Sequence, residues 1–406
     1  MLLSELVAVS AEVAATRARK AKVAALARLL SDVPPGEVAL VVTYLAGSLR
    51  QRRTGVGWRS VTALPEPATE PTLTVIEVDA AFAELAGLSG PGSQGQRTAR
   101  LAELLGRASA DEQRWLRGAI TGEVRQGALD ALVQEAVAAA AGVPVPAVRR
   151  AAMLAGGTPP AAEAAFAGGE PALVEIGLTV GRPVLPMLAS SAPDVAGALA
   201  KAGGAVAVDR KLDGIRVQVH RDSDEVVVAT RSLDDITHRL PEVVAVARAL
   251  PAERFVLDGE ALALDDHGRP LAFQDTASRT AQEAGVAITP YFFDLLHLDG
   301  RDLLDEPLSA RLAALDALVP GGAPGALGRP PRRGRRAQAF LTDTLAAGHE
   351  GVVKSLPRRT TPAGARRRLG EGHRWNAHPR PGRARRRVGQ RAAPGLGFLE
   401  HPPRRT

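Results

Sequence analysis

Along roughly the first 180 residues, apolar positions recur at steps of three and four, the spacing that lines one face of an α-helix. "LAELLGRASADEQRWLRGAITGEVRQGALDALVQEAVAAAAGV" keeps that period, with Ser109 or Asp111 placed as caps. "GVPVPAVRRAAMLAG" interrupts it and starts another helix near Pro146. The opening "MLLSELVAVSAEVAATRARKAKVAAL" reads as helix too, because it lacks the basic start and cleavage site of a leader. Residues 183–200, "PVLPMLASSAPDVAGALA", read as a linker followed by a short helix. From Ala205 the period changes to two: Val206 and Val208 first, then Ile215, Val217 and Val219 alternating with Arg216, Gln218 and His220. That alternation predicts half-buried strands. "EVVVATRS" follows the turn Asp222-Ser223-Asp224 and predicts a hairpin with 215–220. "RFVLDGEALAL" and "AITPYFFDLLHLDG" are further strands, and "PEVVAVARAL" is a helix between them. A helical region followed by an α+β region of mainly antiparallel sheet is expected. In the last 86 residues the periodicity is lost in Arg, Pro, Gly and Ala, a composition that predicts disorder.

At 406 residues there is room for two or three domains, and no run of about 18 apolar residues predicts a membrane span. The absence of cysteine excludes disulfides and thiolate metal sites and suits a cytoplasmic protein. A net charge of +7 suggests a polyanionic partner, but its distribution changes that picture. Residues 321–406 carry 20 Lys+Arg against 4 Asp+Glu, whereas residues 1–320 carry 31 against 40. The basic excess belongs to the tail, so nucleic-acid binding has to be argued from local patches.

The strand pattern breaks at "DRKLDGIR", where Lys211 lies between Asp209 and Asp213, just ahead of Gly214. A lysine amine is a nucleophile only when unprotonated, and its ordinary pKa is about 10.4. Burial or neighbouring cations lower that value, and carboxylates oppose the change. Attack on an α-phosphate needs such an amine, cations to collect phosphate charge, and carboxylates to hold Mg²⁺. Gly214 reads as a tight turn where a triphosphate must approach. A bare Lys-x-Asp-Gly also fits a solvated lysine at a strand end. The motifs C-terminal to it narrow the choice: "ATRSLDDITHRLPE", "FVLDGEALAL", "YFFDLLHLDG" and "GHEGVVK" come in order, each on a strand or its edge.

These ordered motifs resemble the ATP-dependent DNA ligases of the covalent nucleotidyltransferase superfamily, over about residues 183–320 and again at 341–354. The resemblance implies an α-helical N-terminal DNA-binding domain (1–180) and an α+β nucleotidyltransferase domain, ATP-grasp-like and built of antiparallel sheets (181–355). A basic, irregular tail (356–406) then stands in place of an OB-fold. It implies that Lys211 takes AMP from ATP, that AMP passes to a 5′-phosphate at a nick in duplex DNA, and that the 3′-hydroxyl displaces it. Residue by residue, Asp209 stands where the family has a glutamate reading the adenine amino group, and Asp213 where an acid orients the nucleophile or the ribose. Arg216 and Arg231 match the arginines on sugar and phosphates. Glu260 matches the ribose- or metal-contacting acid, and Phe293 the aromatic that stacks on adenine. A core phenylalanine is the plain alternative for Phe293. Glu350 matches a second metal-associated carboxylate, and Lys354 the lysine that grips the α-phosphate. In the helical region, Arg125, Gln126 and Gly127 match the family's approach to the DNA backbone, with Arg149 and Arg150 on the next helix. "GSLRQRRTGVGW", residues 47–58, is a further phosphate-contacting candidate. ATP, Mg²⁺ and nicked duplex DNA are the implied cofactors and partner. A nucleoid-associated monomer acting in repair, recombination or replication is expected.

Two departures from the family pattern matter. Lys354 follows Glu350 by four residues where the family has five, which turns the lysine to the opposite strand face unless a bulge restores it. Trp375 is followed by Asn376, Ala377 and His378 instead of the family's lysines, and nothing after 356 reads as a strand of an OB-fold. With suitable codons, "AHPRPGRAR" read one base later becomes Arg-Thr-Leu-Asp-Leu-Val-Val-Leu, a family-like strand, so a frame slip after Ser355 is expected and sealing by this chain should be impaired. A basic arm on DNA phosphates is the rival account of the tail. An RNA ligase, a capping guanylyltransferase and a DNA-binding remnant without turnover are the rival functions; the helical region speaks against the first two.

Overall fold

The computed structural model describes residues 1–51, 53–124, 130–187, 190–192, 207–265, 270–271, 276, 288–321, 342, 344, 351–355 and 375–377. Helices come first: α1 (Leu3–Ala15), α2 (Arg19–Ser31), α3 (Val38–Leu45), α4 (Val75–Gly87), α5 (Ser93–Gly106), α6 (Ala110–Thr121), α7 (Asp130–Ala140), α8 (Val145–Leu154) and α9 (Thr158–Glu175). The opening segment is thus two helices, parted at Thr16–Ala18. Ser109 does cap α6: its backbone N–H donates to Glu112 Oε2 at 2.8 Å, while its hydroxyl accepts from the Glu112 N–H at 3.5 Å. Such a cap contributes about 1 kcal/mol. Pro146 lies in the first turn of α8, where its missing N–H costs nothing. In α9 the run Gly168-Gly169-Glu170-Pro171 bends the helix, with Gly169 at φ 64°. Leu3, Leu6, Leu30, Tyr44, Phe82 and Trp115 fill the shared core of this region.

The second region is built on a five-stranded antiparallel sheet. Its strands are β3 (Ile215–Asp222), β4 (Glu225–Thr230), β5 (Arg254–Ala263), β6 (Ile288–Leu298) and β7 (Arg301–Asp302), in the order β4-β3-β5-β6-β7. The hairpin at 222–225 forms as the turn residues predict. Helices α10 (Pro241–Ala249) and α11 (Leu308–Leu318) cover one face, packing on Val217, Val219, Phe255, Leu257 and Phe292. Among the described residues a second sheet joins β1 (Ser190–Ala192), β2 (Ala207–Lys211), β8 (Gly351–Ser355) and β9 (Trp375–Ala377), in the order β1-β9-β8-β2.

Three expectations need correction. The first concerns Arg216, Gln218 and His220, which do not alternate toward solvent; Gln218 is 3% and His220 1% exposed. Segment 181–187 runs across them. The Gly181 N–H donates to His220 Nδ1 at 3.2 Å and the Val184 N–H to Gln218 Oε1 at 3.0 Å, while Gln218 Nε2 donates to the Val184 carbonyl. The strand is buried on both sides, and its polar row satisfies the backbone of the segment that crosses it. The second concerns Ser190–Ala192, where strand β1 stands inside the expected linker and helix; residues 193–200 lie outside the described residues. The third concerns Trp375–Ala377, a strand inside the tail expected to be irregular. It pairs antiparallel with β8 and parallel with β1, so the ladder supplies the order that the composition lacks. The rest of the tail lies outside the described residues.

The two regions meet at Leu154, Val184, Val256 and Leu296, which cluster with Met153 and Ile176 around them. Arg150 of α8 bridges to Asp305 ahead of α11 through two hydrogen bonds of 2.7 and 2.5 Å.

Candidate active site

Lys211 ends β2, and after three intervening residues the chain enters β3, so the lysine stands where one sheet hands over to the other. Gly214 sits at the crossing. It does not adopt a left-handed backbone; a Cβ there would lie 2.2 Å from the Ala261 carbonyl oxygen of β5. Close approach to β5, not the turn itself, requires glycine here. The same approach lets the Gly214 N–H donate to Glu260 Oε1 at 3.3 Å.

Register on β3 and β5 sets the polar groups beside the lysine. Arg216 pairs with Glu260 and Gln218 with Asp258 across the ladder. The Arg216 guanidinium reaches diagonally to Asp258, with Nε to Oδ1 at 3.0 Å and Nη2 to Oδ2 at 2.7 Å, and its Nη1 donates to the Met187 carbonyl at 2.6 Å. The cation is therefore fixed on one edge by a bidentate carboxylate and on another by the crossing segment. Phe293 is the extra residue of a β-bulge: Asp258 pairs with Asp294 and Gly259 with Phe292, leaving it unmatched on β6. Phe292 takes the core position, 1% exposed. Phe293 stays half-buried, its ring centre 5.6 Å from the Arg216 guanidinium carbon.

Burial governs the electrostatics. It pushes the Lys211 amine below its ordinary pKa, and the nearby Asp213 and Glu260 carboxylates oppose that only in part. Burial raises Glu260 to about 7, against the pull of Arg216 and of the Gly214 N–H. For Arg216 burial disfavours the cation, but Asp258, with Glu260 and Asp294 beyond, more than offsets it. The cluster thus couples an amine inclined to lose its proton, a carboxylate poised near neutrality and a permanently charged guanidinium.

The other expected residues distribute unevenly. Arg231 is exposed just past β4, at the end where Val217 pairs with Thr230 and the Lys211 turn enters β3. Asp209 pairs through its backbone with Val353, and Lys354 pairs with Val208 in an unbroken register. Among these paired residues no bulge compensates the missing residue before Lys354, so its register position is out of phase with Lys211. Glu350 lies outside the described residues, as do Arg125, Gln126 and Gly127. Arg149 bridges to Glu135 at 2.8 Å, and Arg150 is engaged with Asp305, so both charges are already matched by carboxylates. In the loop at 47–58, Arg50 is held by Asp79. A Cβ on Gly47 would come 3.4 Å from the Val124 Cβ, so this loop touches the chain just ahead of residue 125. Asp258 and Met187 were missed as parts of the site. Asp258 was legible: it lies two residues before Glu260, on the same face of a strand. Met187 contributes only a carbonyl, which no side-chain pattern can announce.

The family model for the ATP dependent DNA ligase domain matches residues 186–368, and that for the DNA ligase N terminus matches residues 59–138. A protein named "Probable DNA ligase" from Nocardioides sp. is 61% identical over 367 residues, covering 88% of this chain and 71% of that protein. Another so named, from Kineococcus radiotolerans, is 60% identical over 358 residues, covering 87% and 71%. A solved structure named Pmar-Lig_PreS3 shares the fold over 92% of this chain and 78% of its own, with a TM-score of 0.57 at 15% identity. The chain belongs to the ATP-dependent DNA ligase family, and it is an enzyme of that class.

Proposed function

We propose that Lys211 is the residue that becomes adenylated, and that the chain joins nicks in duplex DNA by way of this adduct. The observation that carries the reading is the half-buried Lys211 amine, pushed toward its neutral form at the sheet junction beside Arg216 and Glu260. The amine nitrogen attacks the α-phosphorus of ATP, a P–N bond forms, the bond to the bridging oxygen breaks, and pyrophosphate leaves while the amine gives up its proton. A 5′-phosphate oxygen then takes the adenylate and returns the lysine. The 3′-hydroxyl finally displaces AMP, closing the phosphodiester bond. Arg216, held rigid by Asp258 and Met187, is the preorganised cation for phosphate charge. Phe293, pushed out of the core by its bulge, is the face for adenine, and Asp209, Asp213 and Arg231 complete the nucleotide contacts.

Among the described residues no three potential ligands converge on one metal position. Glu260 nevertheless fits a hard divalent cation: burial holds it near neutrality, a cost that an adjacent cation would relieve, and Mg²⁺ needs few protein ligands when phosphates and water complete its shell. We propose Glu260 as its ligand, with Glu350 as the second carboxylate. When bound, Mg²⁺ supplies charge neutralisation at the phosphates. The helical region over 1–180 is proposed as the DNA-binding domain, 181–355 as the adenylation domain, and the chain as a monomer.

Incubation with α-labelled ATP and Mg²⁺ tests the reading. A labelled band is expected that is lost in Lys211→Ala, is chased by nicked duplex DNA, and adds the mass of AMP to the intact protein. Absence of that adduct would sink the assignment, and retained DNA binding without it would favour a remnant that no longer turns over.

A further inference from the structure

Trp58 stands apart from the other aromatic side chains of the helical region. It is 56% exposed, whereas Trp115 is 6% exposed and Tyr44 fully buried. It opens a short 3₁₀ turn, Trp58–Val61, whose Val61 is buried while the indole is left outside. The indole is not bare: the Arg117 guanidinium of α6 lies over its ring, 4.8 Å from the centre. Arginines elsewhere in this region are mostly matched by acids: Arg28 by Glu12, Arg50 by Asp79, Arg100 by Glu84, Arg107 by Glu77, Arg114 by Asp111 and Arg149 by Glu135. Among the described residues Arg53, Arg59 and Arg117 have no carboxylate partner. Arg59 follows Trp58 directly in the chain and Arg117 lies over its ring, so two of these arginines adjoin one exposed aromatic.

We propose that Trp58, which closes the candidate loop 47–58, and Arg117 of α6, which no motif marked, form a two-residue platform for the sugar–phosphate backbone of duplex DNA. The inference rests on the DNA-joining function and adds a contact to it. A guanidinium stacked on an indole loses rotamer freedom before any ligand arrives, so less is lost when it meets a phosphate. The open indole edge supplies a rigid apolar surface for a deoxyribose. A protein or lipid partner would ask for a broader apolar patch than one aromatic with an arginine stacked on it. An unmatched cationic cluster asks for a polyanion.

The test is a titration of the full chain with nicked duplex DNA at several salt concentrations. We expect Trp58→Ala to weaken binding roughly tenfold. Arg117→Gln should lower the magnitude of the slope of log affinity against log salt by about 1. Arg117→Lys should keep the slope, since it keeps the charge. Trp58→Phe should keep most of the affinity but lose the fluorescence quenching that DNA causes at Trp58, a signal that a purely structural role would not give. Arg107→Ala, which removes an arginine already matched by an acid, should leave affinity unchanged. Wild-type affinity and salt slope in both Trp58→Ala and Arg117→Gln would overturn the proposal. Formation of lysyl-AMP needs no DNA, so its failure would count against Lys211 while leaving the binding result to be judged separately.

Discussion

Arginine–carboxylate pairs occur in both halves of the molecule but in different surroundings. In the helical region several are fully solvated: Arg28 and Glu12 are 61% and 51% exposed, and Arg114 and Asp111 76% and 73%. In the sheet region Arg254–Asp222 is solvated likewise, but Arg216–Asp258 is 15% and 9% exposed, and Arg311–Asp294 only 8% and 2%. The chemistry of the pair is the same and the dielectric is not. A solvated pair is screened and contributes about 0–1 kcal/mol, whereas a buried pair cannot lose one partner without stranding a charge. The sheet region therefore carries charges whose removal should be felt, and one of these pairs, Arg216–Asp258, acts on Glu260 beside Lys211.

The sharpest test of this contrast is Arg311→Met. The Arg311 Nε and Nη2 atoms donate to Asp294 at 2.8 and 3.0 Å, and Nη1 donates to the Glu306 carbonyl at 2.8 Å. Asp294 adjoins the bulge that frees Phe293, so the pair pins α11 to the strand bearing the proposed adenine face. We expect the variant to lose about 3–5 kcal/mol in a urea titration. The double variant Arg311→Met with Asp294→Asn should recover part of that loss, because the stranded charge is gone. A loss under about 1 kcal/mol would erase the distinction between the two regions.

A smaller effect is expected at His220. Burial lowers its pKa from 6.5 to about 4, and its Nδ1 accepts from the Gly181 N–H. Because the folded value lies below the unfolded one, the unfolded chain binds the proton more readily. The contribution of neutral His220 is complete above pH 6.5 and is lost as pH falls toward 4. That depression corresponds to roughly 3 kcal/mol at full protonation. Denaturation of wild type and His220→Gln at pH 7 and at pH 4 separates this contribution from every other titrating group, since those groups cancel in the comparison. Parallel losses in the two proteins would remove His220 from the account.

These cases also show what could be read along the chain and what could not. Element types followed from period and caps, as at Ser109 and in the hairpin around Ser223, because those signals are local. At Gly214 the structure adds a constraint that the motif does not show: the Ala261 carbonyl, 47 positions away in the chain and visible only once β3 and β5 pair. Phe292 and Phe293 stand side by side in an apolar run, so the choice between core and site rests on a bulge that alternation cannot display. Arg216, Gln218 and His220 looked like a solvent face, since a polar row that binds a crossing backbone has the same pattern as one that binds water. Arg149 and Arg150 looked like free cations because the carboxylates that engage them, Glu135 and Asp305, belong to other elements.

The smallest expected effect lies at Glu135, and it decides what Arg149 is for. Glu135 accepts from Arg149 at 2.8 Å and from Arg19 at 2.9 and 3.2 Å, which holds its carboxyl below the usual range despite the opposing effect of burial. Arg19 is 57% exposed and Glu135 24%, so water competes for both ends of that pair. Glu135→Gln should therefore cost less than about 1 kcal/mol, and the cost should shrink further in high salt. The same variant releases the charge of Arg149. If Arg149 meets a DNA phosphate, losing its acid should strengthen binding of nicked duplex, most visibly at low salt, where the repulsion between Glu135 and phosphate is least screened. If Arg149 only ties α8 to α7, affinity should stay put while stability falls slightly. Measuring both quantities on one variant distinguishes these roles, and a loss comparable to that of Arg311→Met would show that the solvated pairs are not the weak ones after all.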